Sequence, residues 1–301
     1  MDLKQVEYMI RIAEENNITR AAEKLFLTQS ALNQQLLKLE KELGTPLFHR
    51  SRTNWRLTEA GEVYIRSAKE LLRIKKDTYN QIRDIAETRK GTLSIGLTTG
   101  RGITMFGEVY PAFHQKFPEI IVEPVEKRVR ELQTMIAEDQ LDIAFLTLTV
   151  EERTRDVYIP LCDEEILLVI PSGHPLSACA APPGEPYAVM DLTQLRYEPF
   201  VLMDKVSTMR SLATRIFREA GFQPNILFET KNNHTITTMI RANICCSLIP
   251  AYYAEHDPEG LACFALPSHP SWQVAASYKK DRYLSRAARY FIELGREYWG
   301  M

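Results

Sequence analysis

The 301-residue chain is 45% hydrophobic and 25% charged, which is enough apolar material for two or three cores and too much for a disordered polymer. No run reaches the ~18 apolar residues of a membrane span, and the opening MDLKQVEYMI lacks an export pattern, so a cytoplasmic protein without membrane contact is expected. The net charge of −2 hides an asymmetry: residues 1–90 carry 17 Lys/Arg against 13 Asp/Glu, the remainder 20 against 26. A basic first third on an acidic body is a footprint of nucleic-acid contact.

In the first ninety residues the apolar spacing predicts helices. Leu3, Val6, Met9, Ile10 and Ala13 mark a first helix, and Asn16-Asn17 interrupts it before a short second one over 18–26. Thr28 is placed to cap a third helix with Leu32, Leu36, Leu39 and Leu43 in one stripe, ended by Gly44 and Pro46. Residues 47–57, LFHRSRTNWRL, read as a tight basic hairpin turning at 51–54. A long helix then runs from Thr58 to about residue 88. Along it Tyr64, Ala68, Leu71, Lys75, Thr78, Ile82 and Ile85 step by four and three in a heptad-like seam.

The stripe on the third helix leaves Gln29, Ser30, Asn33, Gln34, Lys38 and Lys41 outward. Gln and Asn can pair bidentately with adenine in the major groove, and Ser reaches several bases. Thr28 caps the helix so that its first amides can face a phosphate. Arg50, Arg52 and Arg56 of the hairpin suit phosphate or minor-groove contact.

Beyond Gly91 the pattern changes. Strand-like runs at 93–97, 120–125, 143–146 and 166–170 alternate with helical segments at 130–138 and 209–220, with a Pro/Gly-rich loop at 180–186, as in an α/β fold. No nucleophile elbow, Walker motif, HExxH or CxxC pair occurs, and Gly96, Gly100 and Gly102 do not form a dinucleotide fingerprint. Catalytic residues, metal ligands and cofactors are therefore not expected. The five cysteines (162, 179, 245, 246, 263) read as reduced core residues, with the neighbouring Cys245 and Cys246 leaving a redox sensor open.

The N-terminal residues resemble the LysR-type transcriptional regulators. The matching elements are Ala21-Ala22-Glu23-Lys24-Leu25, Thr28-Gln29-Ser30-Ala31, Leu39-Glu40, Glu42-Leu43-Gly44, Pro46-Leu47-Phe48, Arg50, and Leu57-Thr58-Glu59-Ala60-Gly61. Looser matches follow at Leu141-Asp142-Ile143-Ala144, Pro160-Leu161, His174-Pro175-Leu176 and Leu248-Ile249-Pro250. The resemblance implies an α plus α/β protein. A winged helix-turn-helix would occupy 1–57 and a linker helix 58–89. Two lobes like those of a periplasmic binding protein would follow, at 90–161 with 267–301 and at 162–266. It further implies a homodimer through 58–88 inside a tetramer, double-stranded DNA as partner, RNA polymerase as a further one, and a small effector between the lobes. The chain departs from the family where Asn33-Gln34 replaces the usual Ser-Arg, at Val129 where a hydroxyl residue is usual, and near Asn243 and Cys245, where glycines are usual.

In open α/β sheets ligands sit at strand carboxyl ends and helix N-termini. The effector candidates are therefore Thr98, Thr99, Gly100 and Arg101 after the first strand, Arg128 and Val129 after the second, and Met203, Ser207, Thr208, Asn232 and His234 in the other lobe. The Thr hydroxyls with Arg101 or Arg128 suit an anionic group, whereas a lone His such as His234 is more often an ordinary surface or core residue. The expected function is effector-modulated, sequence-specific DNA binding. The alternatives are a metabolite-converting enzyme fused to a DNA-binding domain and a cysteine-based redox regulator.

Overall fold

Helix α1 (Leu3–Glu15) begins at Asp2, whose carboxylate accepts from Lys4 N at 3.1 Å, and stops at Asn16, which turns left-handed at φ 47°. Asn17 at once caps α2 (Ile18–Lys24), its Oδ1 accepting from the amides of Thr19 and Arg20, so the interruption is two caps back to back. The computed structural model describes residues 2–50, 55–86, 90–182 and 184–300, which fall into two units, Met1–Thr88 and Arg89–Met301.

Helix α2 ends sooner than its predicted 18–26. Phe26 takes φ 56°, and Leu27 N closes back on Ala22 O at 2.9 Å, a turn that consumes the last carbonyls and stops the helix. Helix α3 (Gln29–Leu43) has the expected caps: Thr28 Oγ1 accepts from Ala31 N at 3.2 Å, and Gly44 sits at φ 72°. Leu32, Leu36 and Leu39 are buried, but Leu43 is exposed, because it lies in the last turn beyond the core.

Strands β1 (Phe48–His49) and β2 (Arg56–Leu57) pair antiparallel, Phe48 opposite Leu57 and His49 opposite Arg56. The predicted turn at 51–54, Arg52 included, lies outside the described residues. Thr58 then joins the hairpin to α4 (Glu59–Ile85), accepting from Gly61 N at 3.0 Å and donating to Pro46 O at 2.7 Å. The α4 residues Tyr64, Ile65 and Ala68 complete a core with Val6, Met9, Leu36 and Leu47. Past Leu72, which still packs against this core, the helix leaves it, and Leu71, Ile74, Tyr79, Ile82 and Ile85 are exposed.

In the second unit β3 (Lys90–Leu97) runs parallel between β4 (Glu119–Glu126) and β5 (Ile143–Leu148). Helices α5 (Arg101–Lys116) and α6 (Val129–Ala137) make the crossovers. Asp142 pins the sheet internally: its carboxylate accepts from Ser94 N and Oγ, both at 2.9 Å. Strand β6 (Val157–Pro171) is fifteen residues long and serves two lobes.

Its first part, to Glu165, pairs with β11 (Ser271–Tyr278), which also pairs with β5; its second part, from Ile166, runs between β9 (Ser247–Pro250) and β10 (Leu261–Phe264). The change of partner falls at Glu165/Ile166, a little beyond the expected 161, and the return passes Pro270, whose carbonyl accepts from Ile166 N at 2.8 Å. The second lobe adds β7 (Pro199–Met203) and β8 (Asn225–Thr230), paired in parallel, with α7 (Thr208–Glu219), α8 (Asn233–Arg241) and α9 (Ala251–His256). Helix α10 (Arg286–Tyr298) returns to the first lobe and packs Phe291 against Phe113 and Phe145. Each lobe is thus a sheet with helices on its faces, as an α/β chain of alternating elements requires.

Candidate DNA-reading face and effector cleft

On α3 the side chains of Gln29, Ser30, Gln34, Lys38 and Lys41 are exposed and Asn33 is half-buried, so the face opposite the leucine stripe carries hydrogen-bonding groups. Thr28 Oγ1, besides capping, lies 3.1 Å from Ser30 Oγ. Arg56 is exposed on β2. Arg50 is otherwise engaged. Its guanidinium pairs with Glu40 and lies 5.8 Å from the centre of the Trp55 ring.

Glu40 is itself buried on α3, where Oε1 accepts from Leu47 N at 2.8 Å and from Phe48 N at 3.4 Å. One carboxylate therefore ties α3 to the root of the hairpin, and Arg50 neutralises it. The Leu39-Glu40 and Arg50 matches thus meet in space, a link that sequence separation concealed.

The second candidate is a cavity of about 470 Å3 between the two lobes. From the first lobe, Thr98, Thr99 and Gly100 lead from β3 into α5, where Arg101 begins, and Arg128 and Val129 lead from β4 into α6. From the second lobe come Met203 at the end of β7, Ser207 and Thr208 at the start of α7, and Asn232 and His234 at the start of α8. All eleven effector candidates line it, and four helix N-termini converge on one space. Their amides and dipoles favour negative charge.

Two of these residues are not free charges. Arg101 is 4% exposed and pairs with Glu164 of β6, which also accepts from Trp272 Nε1 at 2.5 Å and from Tyr252 N at 2.9 Å. The Arg101 guanidinium stacks near Trp299 and Tyr252, 4.8 and 5.1 Å from their ring centres. Arg101 thus locks the point where the chain passes between lobes.

Arg128 reaches across the cleft to Asp204, Nη2 to Oδ2 at 2.6 Å. Thr208 Oγ1 makes a second bridge, donating to Thr147 O at 3.0 Å. Asp204, Lys127, Lys231, Asn233, Tyr252 and Tyr253 also line the cavity and were missed. Asp204 precedes a helix cap by three residues and Tyr252-Tyr253 follows the Leu248-Ile249-Pro250 match, which were the available signals. Burial pushes the Tyr253 hydroxyl above its ordinary range, and Tyr252 up to about 12, so both remain neutral donors.

The reading of all five cysteines as core holds for Cys245 and Cys246 alone: Cys162 and Cys263 are half-buried, and Cys179 is exposed in the turn after His174-Pro175-Leu176. Cys245 and Cys246 are each 2% exposed, and Cys246 donates its amide to Pro199 O inside the sheet. Burial pushes Cys245 up to about 11 and Cys246 up to about 12, which withholds the thiolate that oxidation needs.

Comparison with known proteins agrees with this arrangement. Residues 3–62 match the model of the bacterial regulatory helix-turn-helix proteins of the lysR family, and residues 86–300 match that of the LysR substrate binding domain. The HTH-type transcriptional regulator YcgK of Bacillus subtilis is 29% identical over 99% of this chain and 94% of its own length. Among solved structures, a full-length OxyR variant from Pseudomonas aeruginosa superposes with a TM-score of 0.71 at 21% identity, covering 99% of this chain and 97% of that one. Full-length CbnR complexed with its target DNA superposes with a TM-score of 0.61 at 20% identity, covering 99% of each chain.

Proposed function

The chain belongs to the LysR family of DNA-binding transcription regulators with an effector-binding domain, and from that premise we propose how its own residues divide the work. Helix α3 enters the major groove with Gln29, Ser30, Asn33 and Gln34 toward base edges, while Thr28, Lys38, Arg52 and Arg56 hold the phosphates. Arg50 acts through Glu40, fixing the hairpin on the helix.

The effector is a small molecule with an anionic group, bound between the lobes by the eleven residues named above. The observation that carries this reading is the convergence of four helix N-termini on one cavity. Binding there changes the relative populations of lobe arrangements, and so the geometry imposed on the DNA. The exposed apolar residues of α4 support a homodimer through 58–88, with a tetramer and RNA polymerase as the larger partners. No helix among the described residues is long and apolar enough to cross a membrane, and a regulator of genes belongs in the cytoplasm.

The relatives reported above carry regulator names, which favours regulation over turnover, and the buried thiols weigh against a cysteine switch. The test begins with an operator selected from random DNA. Gln29→Ala should relax preference at one base position, whereas Arg56→Ala should weaken all sequences alike and lower the salt slope by about one. Metabolites that change the footprint should lose that effect in Met203→Trp, which fills the cleft. Uniform loss with Gln29→Ala, or an undiminished response in Met203→Trp, counts against the assignment.

A further inference from the structure

The two arginines that line the cleft are each already paired. Arg101 is held by Glu164, and Arg128 is held across the lobes by Asp204 at 2.6 Å. Asp204 is the one carboxylate among the described residues lining the cavity, where Lys127, Arg128, Lys231 and the helix N-termini all favour an anion. A simple anion seated on Arg128 displaces Asp204 and leaves that carboxylate without its partner beside the incoming charge. Such an exchange forfeits much of what the new contact supplies.

A ligand bearing both charges removes the conflict: its carboxylate takes Arg128, its ammonium takes Asp204, and every charge keeps an opposite neighbour. Two buried atoms of the wall repeat this polarity. Arg101 Nε, a donor on a side chain 5% exposed, and Asn233 Oδ1, an acceptor, have no hydrogen-bond partner among the described residues. Met203, Met209, Val129 and Trp272 supply apolar wall for the rest of such a molecule.

We infer that the effector is a zwitterion, an α-amino acid or a close relative, inserted between Arg128 and Asp204. The inference rests on the reading that the cleft is the effector site. It makes Asp204 the residue that distinguishes amino acids from plain carboxylates, and it gives the Arg128–Asp204 pair a second use, holding the lobes while the cleft is empty.

Isothermal calorimetry on the full chain tests this with the twenty protein amino acids. For each that binds, the corresponding desamino carboxylate and decarboxylated amine are then titrated. At least one amino acid should bind, and both of its analogues should bind about tenfold more weakly or worse. Asp204→Asn should abolish the discrimination between amino acid and desamino acid, and Arg128→Gln that between amino acid and amine.

Desamino acids binding as tightly as amino acids would overturn the inference. So would discrimination surviving in Asp204→Asn, or no binding by any amino acid. The ligand series on the unaltered chain decides the matter even where a variant fails to fold. Met203→Trp separates the two readings: a ligand that is not a zwitterion, bound by the unaltered chain and lost in that variant, keeps the cleft as the site while the zwitterion falls, and an amino acid that still binds it places the site elsewhere.

Discussion

Glu40 shows how much one side chain of the first unit carries. It is buried, accepts two hairpin amides and pairs with Arg50, so removing it strands two N–H groups and a guanidinium together. Glu40→Ala should destabilise the N-terminal unit by about 2 kcal/mol, read from urea unfolding, since Arg50 is partly solvated and its share is small; a loss below about 0.5 kcal/mol would contradict the tie. Arg50 was legible in the sequence as a basic hairpin residue, but its partner was not, because the pairing spans ten residues and depends on where the hairpin folds back. The same limit hid Asp204 from Arg128 and Glu164 from Arg101: residue type marks a charge, and only the fold assigns its partner.

Cys245 and Cys246 give a prediction in pH. Their ordinary value is 9.0 and burial lifts them to about 11 and 12, so the unfolded chain loses these protons first. Their contribution to stability is complete below pH 9 and declines as pH rises from there through 11 to 12. Replacing both by Ala should flatten that decline in denaturation midpoints measured up to pH 11, and an unchanged slope would refute the assignment.

Among the elements, capping was the most readable feature. Thr28, Gly44 and Thr58 stand where the sequence places them, because caps are set by residues within three or four positions. The close approach of α4 to the hairpin was harder to see. At Gly61 an added Cβ would fall 2.0 Å from Leu47 O, whereas at Gly44 it would meet nothing within 4 Å and face only the left-handed backbone. Gly44→Ala should therefore cost about 1 kcal/mol, while Gly61→Ala should abolish cooperative unfolding of the N-terminal unit or detach its hairpin, with calorimetry and DNA binding as readouts. Equal effects would show the backbone contact to be looser than 2.0 Å implies.

The distal part of α4 poses the opposite problem, an apolar face with no counterpart among the described residues of its own unit. The heptad-like reading joined Tyr64 and Ala68 to Ile82 and Ile85, but the first two are spent on the core and the last two are exposed. Periodicity alone cannot separate a face packed at home from one that awaits a second chain. If the proposed homodimer pairs through this helix, Ile82→Lys should raise its dissociation constant about tenfold or more in sedimentation, since an ammonium would have to enter the seam, and an unaffected constant would move the interface off this helix.

For the molecule as a whole, the gathering of eleven predicted residues on one cavity follows from topology. Strand carboxyl ends and helix N-termini in an α/β lobe all open the same way, so local signals suffice to collect a site once the lobes face each other. The exact passage between lobes was less legible, because β6 stays extended through the acidic run Asp163-Glu164-Glu165 into Ile166 and gives no turn signal where its partners change. That continuity has a thermodynamic consequence. A strand whose two parts are hydrogen-bonded into both sheets cannot detach from one without pulling at the other, so the two lobes share a single folding fate. In a calorimetric scan they should melt together as one peak. Damage to the core around Phe200 should then lower the midpoint of amides around Phe113 in hydrogen exchange, although the two phenylalanines belong to different cores.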